Sequence, residues 1–107
     1  MTDDDCLIVL TTLPVAADAA TFATTLVGER LAACVNVHGE MESVYRWEGA
    51  VEGERERQVV IKTSRGRLQA LQARIAALHP YELPELLVLP ADGSAAYLAW
   101  VLECTRP

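Results

Sequence analysis

The sequence predicts an α+β fold built on a four-stranded antiparallel sheet. Four short segments rich in β-branched and apolar residues supply the strands, and two amphipathic segments of helical period lie between them. A turn centred on Gly49 joins two of the strand segments directly, so the chain is expected to contain a long hairpin. At 107 residues the chain has the length of a single domain, residues 1–107.

The first strand is predicted at residues 6–13, where CLIVLTTL is apolar and Pro14 follows. Such a run is typical of a central strand buried on both faces. A helix is predicted over residues 16–31, because apolar side chains recur there every three or four residues. Gly28 then lies inside the helix at a cost of about 1 kcal/mol relative to alanine, and Val15 is an N-cap without a side-chain acceptor.

A hairpin is predicted between residues 33 and 64. Its first strand, residues 33–49, is apolar and then alternating, with a bulge or bend at Gly39. Its second strand, residues 54–64, begins charged and ends apolar. No predicted helix covers the charged distal half, so we expect it to stand in solvent or to pack on another subunit.

A corner follows the second helix. The helix, residues 68–78, ends at His79 because Pro80 disfavours the α region for the residue before it. The segment ELLVLP, residues 85–90, is predicted as a buried fourth strand, and Ser94 as the N-cap of a last short helix.

This β-α-β-β-α-β order with an extra C-terminal helix is the split βαβ, or ferredoxin-like, arrangement. Right-handed crossovers place both longer helices on one face of the sheet. Folds of this kind host many unrelated activities, so the function must be argued from particular residues.

The composition limits the classes of partner that the protein can have. Hydrophobic residues make up 51% of the chain before glycine is counted, which is high for so small a domain. A buried subunit interface explains this excess, as would many small alanines on helices. A net charge of −6 argues against a nucleic-acid partner, and no apolar stretch reaches the length of a membrane span. Three cysteines without a C-x-x-C pair indicate reduced thiols in the cytoplasm.

Few residues of the sequence suggest a catalytic, metal-binding or ligand-binding role. The chain has no Gly-rich phosphate loop and no G-x-S-x-G sequence, and Cys34 lies in an apolar run that favours an inert thiol over a nucleophile. His79 is either a metal ligand, with Cys34, Tyr81, Glu82 and Glu85 as further ligands, or a partner of the helix C-terminus. Lys62, within apolar VVIKTS, is expected to snorkel, to pair with a carboxylate such as Glu85, or to meet an anionic ligand.

Several motifs together resemble the CutA family of divalent-cation tolerance proteins. They are ERLAACVNV, SVYRWEG, VVIKT, LHPYELPELLVLP and YLAW, in this order, and the resemblance extends from about Leu7 to Trp100. It implies a ferredoxin-like subunit in a tight homotrimer, similar in architecture to the PII signalling proteins, whose long hairpins brace neighbouring subunits. It also implies a link to tolerance of copper and other divalent metals, without an established catalytic activity.

The positions that match the motifs of the family are Cys34, Tyr45, Trp47, Glu48, Gly49, Lys62, His79, Pro80, Tyr81, Pro84, Glu85, Tyr97 and Trp100. Of these, Tyr45, Trp47 and Glu48 are expected at the subunit interface. Some family members carry a cysteine and a second histidine where this chain has Thr11 and Leu78. The resemblance therefore implies only weak binding of a divalent metal such as Cu²⁺, through His79, and no cofactor required for folding.

Three functions compete at this point. The first is a trimeric, non-enzymatic binding or signalling module associated with divalent metals. The second is a metal-dependent or small-molecule enzyme that uses His79, Lys62 and Glu85 in a cleft between subunits, with Cys34 and Tyr81 as further candidates in the same cleft. The third is a structural assembly protein without a ligand.

Overall fold

A computed structural model describes all residues from 1 to 107 and confirms the predicted α+β fold. The elements, in chain order, are β1 (Cys6–Pro14), α1 (Ala19–Gly28), β2 (Cys34–Trp47), β3 (Ala50–Ser64), a 3-10 turn (Arg65–Arg67), α2 (Leu68–Leu78), β4 (Leu87–Ala91) and α3 (Ala95–Cys104).

The four strands form one antiparallel sheet in the order β2-β3-β1-β4, so β1 is central as predicted. Alternate residues of β1 and β3, among them Val9 and Ile61, point to one face and are fully buried against α1 and α2. On the opposite face the hydroxyl of Thr105, just after α3, lies 2.9 Å from that of Ser64. The central strand is thus fully buried on one face and only partly covered on the other.

The start and end of α1 differ from the prediction. Its N-cap is Asp18, whose carboxylate accepts a hydrogen bond of 3.0 Å from the backbone N–H of Thr21. Val15 instead donates its backbone N–H to the carbonyl of Arg55, which holds it beside the sheet. The predictions of Val15 as N-cap and of Gly28 inside a longer helix are wrong, because a side-chain acceptor at residue 18 starts the helix later and Gly28 is its last residue.

The second strand of the hairpin is longer than predicted, because β3 begins at Ala50. Its two-residue turn places Glu48 and Gly49 at φ values of 48° and 81°, the pattern of a type I′ turn. The predicted bulge is confirmed, since the β2–β3 register shifts between Val37 and Glu40. The twisted ribbon contributes to a molecule that extends 44 Å along its long axis and 26 Å by 23 Å across it.

In the single chain the predicted fourth strand is not buried. β4 begins at Leu87 and is an edge strand, and the side chains of Leu87 and Leu89 are 56% and 47% exposed in the single chain. Pro90 lies within β4 and is tolerated because the outer edge of the strand carries no ladder. The last helix starts at its predicted N-cap, where the hydroxyl of Ser94 accepts from the N–H of Tyr97.

Candidate functional site

A large cavity lies between the hairpin and the loop that joins α2 to β4. It measures about 900 Å³. One wall is formed by the distal parts of β2 and β3, and the other by residues 80–85 of the loop. We call this space the hairpin cleft. Its floor includes Thr12 and Gln58, which are paired across β1 and β3.

A hydrogen bond joins the two walls of the hairpin cleft. The phenolic hydroxyl of Tyr81 donates to Oε2 of Glu56 at 2.7 Å, and the Glu56 side chain belongs to a residue that is only 5% exposed. Burial, and then this bond to a carboxylate, raise the pKa of the Tyr81 phenol well above its ordinary value. The contact therefore keeps Tyr81 neutral and fixes the carboxylate of Glu56.

Two further contacts hold carboxylates in the cleft, one on the loop wall and one on the hairpin wall. The side-chain amide of Gln58 donates to Oε2 of Glu85 at 3.0 Å and to the carbonyl of Thr11 at 2.7 Å. Nearer the hairpin tip, the hydroxyl of Tyr45 donates to Oε2 of Glu54 at 3.0 Å, which raises the pKa of that phenol. Neutral donors thus orient each of these carboxylates.

His79 lies beneath the cleft and is 8% exposed. Its Nδ1 accepts the backbone N–H of Tyr81 at 3.1 Å, so Nε2 carries the proton and donates to the carbonyl of Thr12 at 2.6 Å. The ring of Phe22 packs edge-on against it, with centroids 6.4 Å apart. His79 therefore links the end of α2 to β1.

The residues of one chain do not fit a tightly bound metal. Both nitrogens of His79 are engaged in hydrogen bonds, and the chain holds no cluster of three or more His, Cys, Asp or Glu side chains that could bind an ion. Metal binding through His79 stays a prediction, and it requires one of these hydrogen bonds to open.

The predicted site residues fall into two groups. Tyr81 and Glu85 line the hairpin cleft. Lys62 instead donates to Oδ1 of Asn36 at 2.6 Å, and the sulfur of Cys34 lies 3.8 Å from the same oxygen. Lys62 is four residues along β3 from Gln58, roughly 13 Å away. The expected pairing of Lys62 with Glu85 is therefore wrong within one chain, and His79, Lys62 and Glu85 do not converge.

The residues expected at an interface lie at the exposed end of the hairpin. Tyr45 and Trp47 are partly exposed on β2, and Glu48 begins the turn. On α3 the rings of Tyr97 and Trp100 pack at a 42° tilt with centroids 5.4 Å apart, and the two residues are 44% and 45% exposed.

Glu54, Glu56 and Gln58 were not predicted as site residues. The signal that could have found them is strand alternation, which places these three side chains of ERERQ on one face of β3.

Comparison with known proteins gives the family. Residues 7–104 match the profile described as CutA1 divalent ion tolerance protein. The chain belongs to this family. It is 44% identical over 99 residues to the divalent-cation tolerance protein CutA of Thermus thermophilus, a match that covers 92% of this chain and 96% of that protein. It is equally identical over 98 residues to a CutA of Yersinia pestis, covering 91% of this chain and 82% of that protein.

Solved CutA structures share the fold. The Cut A1 protein of Thermus thermophilus superposes with a TM-score of 0.90 at 43% identity, over 94% of this chain and 99% of that one. CutA of Xylella fastidiosa superposes with a TM-score of 0.91 at 37% identity, over 95% of this chain and 99% of that one. The CutA1 family is described as a tolerance protein and not as an enzyme. No helix of this member has the length and apolar character needed to span a membrane.

Proposed function

We propose that this CutA1-family chain assembles as a closed homotrimer and serves as a PII-like binding or signalling module in the cytoplasmic response to divalent metal ions, copper among them. Membership of a family described by divalent-ion tolerance supports the metal part. The observation that carries the assembly part is the apolar surface that a single chain leaves uncovered.

The first uncovered surface lies on the sheet face opposite α1 and α2. Leu87 and Leu89 of β4 are about half exposed there, beside Ile8 and Leu10 of β1 in register. Contiguous apolar surface on a small soluble protein marks an interaction site. A neighbouring subunit seated on β4 would bury it.

The second uncovered surface is the hairpin tip. Val44 and Val51 are each 68% exposed, and Trp47, on the opposite face of the ribbon, is 39% exposed. A two-stranded ribbon alone is marginally stable in water, so packing on a neighbour would stabilise it. β2 and β4 also present unpaired outer edges, which closed assembly around a threefold axis can protect.

The hairpin cleft supports the binding part of the proposal. It opens beside the same hairpin, so a neighbouring subunit can complete its outer wall. Ligand occupancy and subunit packing would then influence each other, which is what a signalling module requires.

Light scattering coupled to size exclusion tests the assembly at micromolar concentration. We expect three times the chain mass of 11.7 kDa, about 35 kDa. A mass of one chain would overturn the proposal.

A further inference from the structure

The hairpin cleft has an uncompensated negative charge. Its lining includes four glutamates, Glu54, Glu56, Glu82 and Glu85, and no lysine, arginine or histidine. All five salt bridges of the chain use other carboxylates, those of Asp5, Glu29, Glu40 and Glu103. The cleft is therefore acidic without an internal counter-ion.

Glu56 is the least exposed of these four glutamates. A carboxylate is rarely buried unless a cation or several hydrogen bonds compensate it. Glu56 is 5% exposed, yet the only side chain that bonds it is the neutral phenol of Tyr81, at Oε2. Its second oxygen, Oε1, accepts no hydrogen bond from the protein and is not among the fully buried atoms without a partner, so it is accessible to a donor in the cleft. A cationic group in the cleft could supply that donor.

The rest of the lining indicates which kind of cation. Tyr45, Trp47 and Tyr81 contribute aromatic surface, and Met41 and Leu83 contribute aliphatic surface. Aromatic rings attract ammonium and guanidinium groups, and apolar walls favour a ligand with a carbon body. A bare metal ion fits poorly, because the space is about 900 Å³ and no three metal-binding side chains cluster in the chain.

We propose that the hairpin cleft binds an organic cation, an ammonium or guanidinium group carried on an apolar body. Oε1 of Glu56 accepts the cationic N–H, Tyr81 holds that carboxylate in place, and Tyr45 and Trp47 cover the carbon body. The inference rests on the proposed function as a binding module. The residues it uses come from one chain, although Tyr45 and Trp47 are also expected at the subunit interface, so light scattering beside each titration separates a loss of binding from a loss of assembly.

Calorimetric titration in a phosphate buffer of low ionic strength tests the site, with agmatine, spermidine and 2-phenylethylamine as probes. We expect saturable binding of at least one amine with a Kd of about 1 mM or tighter. The neutral counterpart 2-phenylethanol should not saturate. Glu56→Gln keeps the size of the side chain and an acceptor for Tyr81, and it should weaken amine binding about tenfold or more, because a charge-assisted hydrogen bond is lost.

Glu42→Gln is the matched control. It removes the same charge from the same hairpin, but Glu42 pairs with Arg55 and alternates to the face away from Glu56. Amine binding should be unchanged in this variant.

Four results would overturn the inference. They are the absence of saturable binding for all three amines, unchanged binding in Glu56→Gln, an equal loss in Glu42→Gln, and Mn²⁺ binding that depends on Glu56 in place of amine binding. A fifth contradicting result would come from light scattering on each variant. If Glu56→Gln dissociates into single chains, the partner of the Glu56 carboxylate is a group of a neighbouring subunit and not an organic cation. If the parent protein binds amines as a monomer, the inference of an organic-cation site holds and the proposal of a homotrimer is wrong.

Discussion

Tyr81 and Glu56 are 25 residues apart in sequence, and the 2.7 Å hydrogen bond between them closes the hairpin onto the loop after α2. The backbone N–H of Tyr81 also donates to His79, which in turn donates to the carbonyl of Thr12. One series of hydrogen bonds therefore ties β3, the loop and β1 together. Because no link in this series involves a cation, the contribution of each link to stability can be tested by removing one neutral group at a time.

Tyr81→Phe removes the single side-chain donor to Glu56. The free energy of unfolding should fall by about 1–3 kcal/mol, because a buried carboxylate loses its partner. Urea unfolding at one fixed protein concentration measures the change. Tyr45→Phe is the control, since the Tyr45–Glu54 bond is exposed, and its unfolding should be almost unchanged. Equal losses in both variants would show that the Tyr81 bond has no special role.

Alkaline pH should weaken the same contact. The pKa of Tyr81 is raised in the folded state, chiefly by burial and then by the bond to Glu56. A group whose folded pKa is raised contributes stability that is fully present below its unfolded pKa, about 10 for tyrosine, and lost as pH rises through the folded value.

Phenolate absorbance of the parent minus that of Tyr81→Phe isolates the titration of Tyr81. We expect this residue to ionise only above the ordinary tyrosine range and together with loss of near-ultraviolet circular dichroism. Ionisation near pH 10 with the fold intact would contradict the assignment.

The sequence predicted the fold well because its elements are bounded by local signals. Gly49 permits the tight turn, Pro80 ends α2 at His79, and Ser94 caps α3. The N-terminus of α1 was predicted too early, with Val15 as N-cap, although the carboxylate of Asp18 makes the N-cap. Whether the helix begins after Val15 or after Asp18 depends on where the chain leaves the sheet, which cannot be determined from the local sequence.

Only some residues of the hairpin cleft were predicted from the sequence. The others are brought together by contacts between distant segments, which local signals do not reveal. Tyr81 and Glu85 both line the hairpin cleft because one short loop, which also contains Pro80 and Pro84, carries both. Glu56 was missed because the charged stretch ERER is typical of a solvated strand, and its burial requires the distant loop to fold over it. Contacts made across 25 residues leave no local pattern.

Trp47→Ala should weaken the assembly. Truncation of a large aromatic side chain at an interface costs about 2 kcal/mol or more when it is a hot spot. Light scattering over a dilution series measures the effect as dissociation at higher protein concentration than in the parent. Arg46→Ala is the control on the adjacent, opposite-facing position of β2. If both variants dissociate alike, the hairpin as a whole is weakened and the Trp47 contact is not specific.

Copper binding tests the prediction for His79. A metal must displace either the N–H of Tyr81 or the bond to the Thr12 carbonyl, so we expect the parent to bind Cu²⁺ no tighter than micromolar, about −8 kcal/mol. His79→Ala should reduce this binding. The chain has one other histidine, His38, which is exposed on β2, and His38→Ala should leave Cu²⁺ binding unchanged.

His79→Ala leaves the Thr12 carbonyl without a donor, so His79→Gln serves as a second variant whose amide can still donate. Circular dichroism confirms that each variant is folded before calorimetric titration with Cu²⁺. Binding that is lost only in His38→Ala would assign the metal to the exposed histidine. Equal affinity in the parent and both His79 variants would leave His79 as a structural link between α2 and β1. Nanomolar binding by the parent would mean that other groups complete a site, since the hydrogen bonds that His79 must give up oppose such an affinity.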